Sequence, residues 1–242
     1  MNVLLTLAFL FFIGSVFGWV LEVFFRRFFS SQNPQRKWIN PGFCVGPYLP
    51  LYGCGLCLLY LIACTEPYIF AKDPWAARLI LFAVMAVCMT VIEYIAGIVS
   101  IRCFKVRLWD YSGQWGNLQG IICPKFSFFW AVLGAAYYFG VHPHILNALD
   151  WLSRNLAFSF FIGVFFGVFT IDVIYSTHLV ATVKRFAEEN QVIVRYERLK
   201  EHVRASAERA RFFFPLSSNQ SLSEHLKDAQ EAFEKLKIRK KR

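Results

Sequence analysis

Charge is what this sequence has least of. Only 17% of its 242 residues are Asp, Glu, Lys or Arg, against about 25% in soluble domains, which excludes an ordinary water-soluble enzyme or binding domain. Acid is scarcer than base, 16 residues against 26. There is no G-x-x-x-x-G-K-[ST] segment, so the chain is not itself an ATPase of the P-loop kind. A G-x-S-x-G elbow and an H-E-x-x-H helix are missing as well, which removes the serine-hydrolase and zincin signatures. Seven cysteines fall at irregular spacing, with one lone C-x-x-C at Cys54 and Cys57. Without a second Cys/His pair they read as small buried hydrophobes, not as zinc ligands or a disulfide framework. His142-Pro143-His144 lacks carboxylate partners nearby and reads as a turn between helices. No metal site and no cofactor is therefore expected. No fixed-period internal repeat is present.

What remains is apolar: 57% hydrophobic residues, 27 of them Phe. Apolar runs lie at Val3 to Phe25, in a second segment entered through Pro41 to Gly53 and continuing to about Cys64, at Ala77 to about Ile101, in a short aromatic-rich stretch Phe126 to Val141, and at Asn155 to Leu179. The first lacks a basic leader and a cleavage site, so it is expected to be a retained helix and not a signal peptide. The predicted fold is an all-α polytopic membrane bundle of about five transmembrane helices with a cytoplasmic C-terminal helical tail. Residues 1–180 form the membrane domain, 181–215 an amphipathic cytoplasmic helix and 216–242 a basic tail. In finer detail, the charge-paired stretch Val180 to Arg211 predicts a long helix. Ser217 to Ser221 predicts a flexible linker, and Ser221-x-x-Glu224 a capping box opening a last helix.

The distribution of base orients the chain. Of the 26 Lys and Arg, 23 lie in the loops after the first and third runs and in the tail; the other side holds Lys72, Arg78 and Arg154. The positive-inside rule places the N-terminus outside and the C-terminus in the cytoplasm of a bacterial inner membrane. It also makes anionic lipid headgroups the partner of the basic loops and tail. Nucleic acid is not expected, because acids interleave with the bases.

Few polar groups interrupt the apolar runs, and they carry the functional signal. Gly14, Gly18, Glu22 and Arg26 recur every fourth residue and share one helical face, two glycines for close packing and then an acid and a base. Glu93 lies deep in the third run and Asp172 in the fifth; Gly163 and Gly167 mark a separate small-residue face. Intramembrane carboxylates are costly unless paired, protonated or facing a wet cavity. The segment Pro41 to Gly53, with Pro47 and Pro50, predicts a broken or re-entrant entrance to the second helix. The loop after the third run concentrates Trp109-Asp110-Tyr111-Ser112 and Asn117-Leu118-Gln119-Gly120. All these groups lie toward the cytoplasmic side, predicting a cavity that opens there. Its candidate lining for a substrate or ion is Glu22, Asn40, Tyr52, Glu93, Tyr94, Asp110, Tyr111, Asn117 and Asp172. Glu93 is expected at the centre, beside Tyr94, Asp110, Tyr111 and Asn117, and partly protonated at rest.

The ordered set Gly18-Trp19-x-x-Glu22, Asn40-x-Gly42-Phe43-x-x-Gly46-Pro47-x-x-Pro50-x-Tyr52-Gly53, Glu93-Tyr94-x-x-Gly97, Trp109-Asp110-Tyr111-Ser112 and Asn117-x-x-Gly120-x-x-Cys123 resembles the bacterial family labelled putative ABC-transporter type IV. The resemblance covers Gly18 to Trp130, and Asp172 fits the family's last span. It departs at three positions: Pro41 and Ile121 stand where Arg is common, and Ile101 where a second Glu follows. The resemblance implies a transport role, with a separate ATPase subunit as partner. Three readings follow. One is a permease or transport component, in which five spans could form half of a homodimer. The second is a membrane-embedded enzyme acting on a lipid or lipid-linked substrate, with Glu93 or Asp110 as acid or base. The third is a non-catalytic scaffold whose carboxylates pin helices together.

Overall fold

The structure is a computed structural model that describes residues 2–30, 33–42, 44–69, 73–189, 192–196, 198–200 and 224–228. Helix α1 spans Val3–Phe28, α2 Pro50–Ala63, α3 Pro74–Phe104, α4 Pro124–Ala136, α5 His142–Arg154 and α6 Ser159–Glu189. A two-residue strand, β1 (Val106–Arg107), pairs in parallel with β2 (Val194–Arg195). The fold is an all-α membrane bundle, as the sequence predicts.

Among the described residues, four helical stretches are long and apolar enough to cross a membrane: Val3–Phe28, Pro50–Tyr68, Trp75–Phe104 and Leu156–Glu189. The expected fourth span, 126–141, is helical but is not among them. Lys125, Trp130, Tyr137 and Tyr138 dilute its hydropathy, and the last three bury in the same core as Leu59, Met85 and Met89. Nor does this helix end where a turn is predicted at His142-Pro143-His144. It continues into α5 through a single π turn, Tyr137–Val141. Pro143 has no N–H to give the preceding turn and crowds the carbonyl four residues back, and a wider turn relieves both. Ile145, Leu149 and Leu152, at helical spacing, then bury one face of α5.

Small residues set the closest helix contact. A side chain at Gly18 would overlap the Tyr52 ring, and one at Gly53 would overlap Ser15 Oγ. So α1 and α2 meet through Gly14, Ser15 and Gly18, which confirms the packing half of that stripe. Among the described residues, nothing lies within contact distance of a side chain placed at Gly163 or Gly167. Around them α6 exposes Phe160, Phe161, Val164, Val168 and Ile171, as a lipid-facing surface does.

Helix α6 ends at Glu189, not near Arg211. The β-branched run Val192-Ile193-Val194 favours extended backbone, and β2 pairs its edge to β1. Lys200 and the helical piece 224–228 come back onto the bundle. Leu226 is buried with Val106, Val180, Val183, Tyr196 and Leu199. This piece of the tail is docked, contrary to the picture of a segment hanging from a linker. The predicted linker Ser217 to Ser221, the helix through Arg211 and the last helix beyond residue 228 lie outside the described residues.

Candidate functional site

The candidate residues sort into three groups. The first joins α1, α2, α3 and the central loop. Glu22 accepts from Arg26 Nε at 2.9 Å and from Tyr52 Oη at 2.9 Å. The Tyr52 ring lies 5.2 Å from that of Trp130. Glu93 is 3% exposed. Its Oε1 accepts from Tyr111 Oη at 3.1 Å, whereas Oε2 has no hydrogen-bond partner among the described residues. The Trp130 indole approaches the same carboxylate without an ordinary hydrogen bond to Oε2. Tyr111 is steered there by stacking on Phe126, centroids 4.2 Å apart. Burial, then the Glu93 and Glu22 carboxylates, hold its phenol well above the usual range, so it stays a donor.

The second group closes the broken loop before α2. Asp172 Oδ1 accepts from Val45 N at 3.0 Å and Ser176 Oγ at 2.8 Å; Oδ2 accepts from Gly46 N at 2.6 Å and from the Tyr48 hydroxyl. A carboxylate offers about four lone-pair directions, and all four are taken. Asn40 accepts from Trp19 Nε1 at 2.7 Å and donates to the Val45 carbonyl at 2.8 Å. Lys200, 5% exposed, donates to the Asn40 and Gly42 carbonyls at 3.2 and 2.6 Å. Non-helical backbone in an apolar bundle is thus satisfied by an acid on its amides and a base on its carbonyls. Cys44 lies between them. Burial and the Asp172 charge, opposed by Lys200, push its thiol up to about 12.

The third group is the loop's own knot, and here the structure corrects the sequence picture. Asp110 and Asn117 do not reach Glu93. Asp110 accepts from the Ser112 amide and hydroxyl at 3.1 and 2.5 Å and pairs with Arg195 at 2.9 Å and Arg107 at 3.4 Å. Burial opposes ionisation, but these partners hold the carboxyl below its ordinary value. Asn117 donates to the Gln114 carbonyl at 2.9 Å and accepts from Gly120 N at 3.0 Å. Gly120 takes φ +67, and any side chain there would strike Arg107, Ser112 and Asp110. Tyr94, next to Glu93 on α3, is half-buried and carries none of these bonds. A helix turns side chains about 100° per residue, so neighbours in sequence face different ways.

Sequence reasoning missed Tyr48, Ser176, Trp130, Arg195 and Lys200. Tyr48 and Ser176 had a usable signal: Tyr48 lies in the Pro/Gly segment, and Ser176 lies one turn after Asp172. Lys200 had none, since it sits in a stretch of mixed charge that reads as solvated. Of the three departures, Pro41 and Ile121 are buried, and Ile121 fills the space a side chain at Gly97 would need.

A family model described as "Putative ABC-transporter type IV" matches residues 9–177. The chain belongs to that family. The matched region contains both Glu22–Tyr52 and Glu93–Tyr111 and the Asp172 clamp, and it ends before β2 and Lys200. No curated protein and no solved structure matches the chain.

Proposed function

We propose that the chain is the membrane component of a transport system, with Glu22, Tyr52, Glu93 and Tyr111 as its polar centre. Of the nine candidate residues, these four gather round one place. Asn40 and Asp172 hold the loop that positions Tyr52, and Asp110 and Asn117 hold the loop that presents Tyr111. The observation that carries the reading is Glu93: a carboxylate 3% exposed inside a span, with one oxygen bonded to Tyr111 and the other lacking an ordinary hydrogen bond among the described residues, the Trp130 indole being near the carboxylate. An unsatisfied charge there costs several kcal/mol, so the second oxygen takes a proton or a small cation. Asp172, with every lone pair filled, has no such vacancy.

Pro124–Val141 crosses the membrane as the remaining span in this reading, because Trp130, Tyr137 and Tyr138 share the core of α2 and α3. The basic side then faces the cytoplasm, the N-terminus lies outside, and the polar centre is reached from the cytoplasmic end of α3. The basic loops meet anionic headgroups, and nucleotide hydrolysis belongs to a separate subunit.

The test is infrared spectroscopy of the parent and E93Q in lipid, scanned from about pH 5 to about 9, where a buried carboxyl exchanges its proton. A protonated-carboxyl band that titrates, or shifts on adding sodium or potassium, and that E93Q removes is the expected result. A Glu93 band that neither titrates nor responds to cation belongs to a fixed helix pin and overturns the reading.

A further inference from the structure

A second polar cluster lies at the other end of the same helices. Tyr137 Oη and His142 Nδ1 are 2.8 Å apart. The same two residues close the π turn through their backbone, with His142 N–H donating to the Tyr137 carbonyl. Around them stand the Tyr60 ring, 6.2 Å from the imidazole, the Cys64 thiol at the C-terminal cap of α2, Glu66 on the following turn, and Arg78 on α3, 3.8 Å from Glu66. Trp130, at the Glu93 end, is seven residues from Tyr137, or about 10 Å of helix at ~1.5 Å per residue. Between the two clusters the core is apolar: Met89 packs on Gly55, and Met85 and Leu59 pack toward Gly134. The two polar clusters are thus separated by a sulfur-and-leucine plug.

We infer that Tyr137 and His142 form a second proton-binding site, at the opposite end of the bundle from Glu93, whose occupancy is tied to the geometry of the π turn. This rests on the transport reading for its purpose but not for its chemistry. Neutral His142 with Nδ1 bare accepts from the Tyr137 hydroxyl. Once a proton binds, Nδ1 becomes a donor and the phenol must turn its lone pair toward it. The proton goes to Nδ1 and nothing else is exchanged. Because the backbone bond of the π turn joins the same two residues, reversing the side-chain bond loads that turn directly. Pro143 holds this turn wide, so a change in the Tyr137–His142 bond acts where the helical backbone ladder is already interrupted. Burial opposes the imidazolium and Glu66 favours it, with burial the larger effect. Protonation is therefore expected below the ordinary histidine value of about 6.5.

The experiment is nitrogen NMR of the full chain in lipid nanodiscs with ring-labelled histidine, the His142 signal among the five being assigned by H142Q. Expected is a neutral imidazole protonated at Nε2, taking its second proton below about pH 6.5. The backbone amides of Tyr138 to His142 should shift along the same curve. Y137F should leave the imidazole titrating while the two tautomers mix and the amides stop following. A His142 that stays neutral to about pH 4.5, two units below its ordinary value, overturns the proposal. So does one that titrates while the amides of the turn stay still. E93Q should leave both curves in place. Hence a silent His142 with an exchanging Glu93 removes this site alone. A titrating His142 with a fixed Glu93 removes the transport reading and leaves the site standing.

Discussion

Asp172 offers the clearest measure of what holds the broken loop. Replacing it with Ala strips the partner from Val45 N, Gly46 N and the Tyr48 hydroxyl; Ser176 can turn to a carbonyl of its own helix. Each buried donor left unmet costs about 1–3 kcal/mol, and partial entry of water moderates the sum, so D172A should lose about 3–5 kcal/mol. Asn keeps one acceptor oxygen and turns an NH2 toward the donors on the other side, so D172N should lose about 1–3 kcal/mol. At about 2–4 °C per kcal/mol for a chain of this size, D172A should melt about 6–20 °C below the parent. The loop carries its own reporter. Cys44 is 4% exposed, and its thiol, pushed up to about 12, is close to inert at neutral pH. Labelling with a thiol reagent in detergent, read at the Cys44 peptide by mass spectrometry, separates it from the exposed Cys54, Cys64 and Cys103. Labelling should be fastest in D172A, intermediate in D172N and slowest in the parent. If D172A melts with the parent and Cys44 labels at the parental rate, the carboxylate is not what closes the loop. Asp172 would then have to be reconsidered as a binding group.

Four further outcomes test other joints. G18A should force Tyr52 away from α1 and cost about 1–3 kcal/mol, whereas G163A, facing open space, should be neutral in the same melting assay. Truncation after Ser223 removes buried Leu226 and should lower stability by about 1.5–3 kcal/mol; unchanged melting would show that the 224–228 contact contributes nothing. Because the Asp110 carboxyl is held below its ordinary value, the stability it lends the loop is complete above about pH 3.9 and is lost as pH falls through its folded value. Faster exchange of the Tyr111 amide in acid, absent from the contrast between parent and D110N if the reasoning fails, checks this. An impermeant maleimide applied to intact cells should label a site lost in C64S and leave one lost in C103S untouched; the reverse pattern would invert the orientation.

Long-range composition carried the class of this protein. Apolar runs of spanning length need no partner to be recognised, because the cost of leaving them in water depends on each segment alone. The same holds for the Gly14–Gly18 face and the Glu22–Arg26 pair, which a helix brings together by its own repeat. The family motifs were equally legible, since they are local strings in a fixed order. What the sequence could not settle was which polar residues meet across helices. Tyr111 reaches Glu93 over eighteen positions while Asp110, its neighbour, turns back to Arg107 and Arg195. Asp172 crosses more than a hundred residues to the Val45 and Gly46 amides, and Lys200 more still to Asn40 and Gly42. Those pairings follow from where each helix face ends up, and a hydrogen bond is decided by a few tenths of an ångström. The sequence therefore determined a membrane bundle with scarce, costly polar groups. Only the tertiary structure decided that Asp172 is saturated while Glu93, among the described residues, has an ordinary hydrogen bond to one oxygen only.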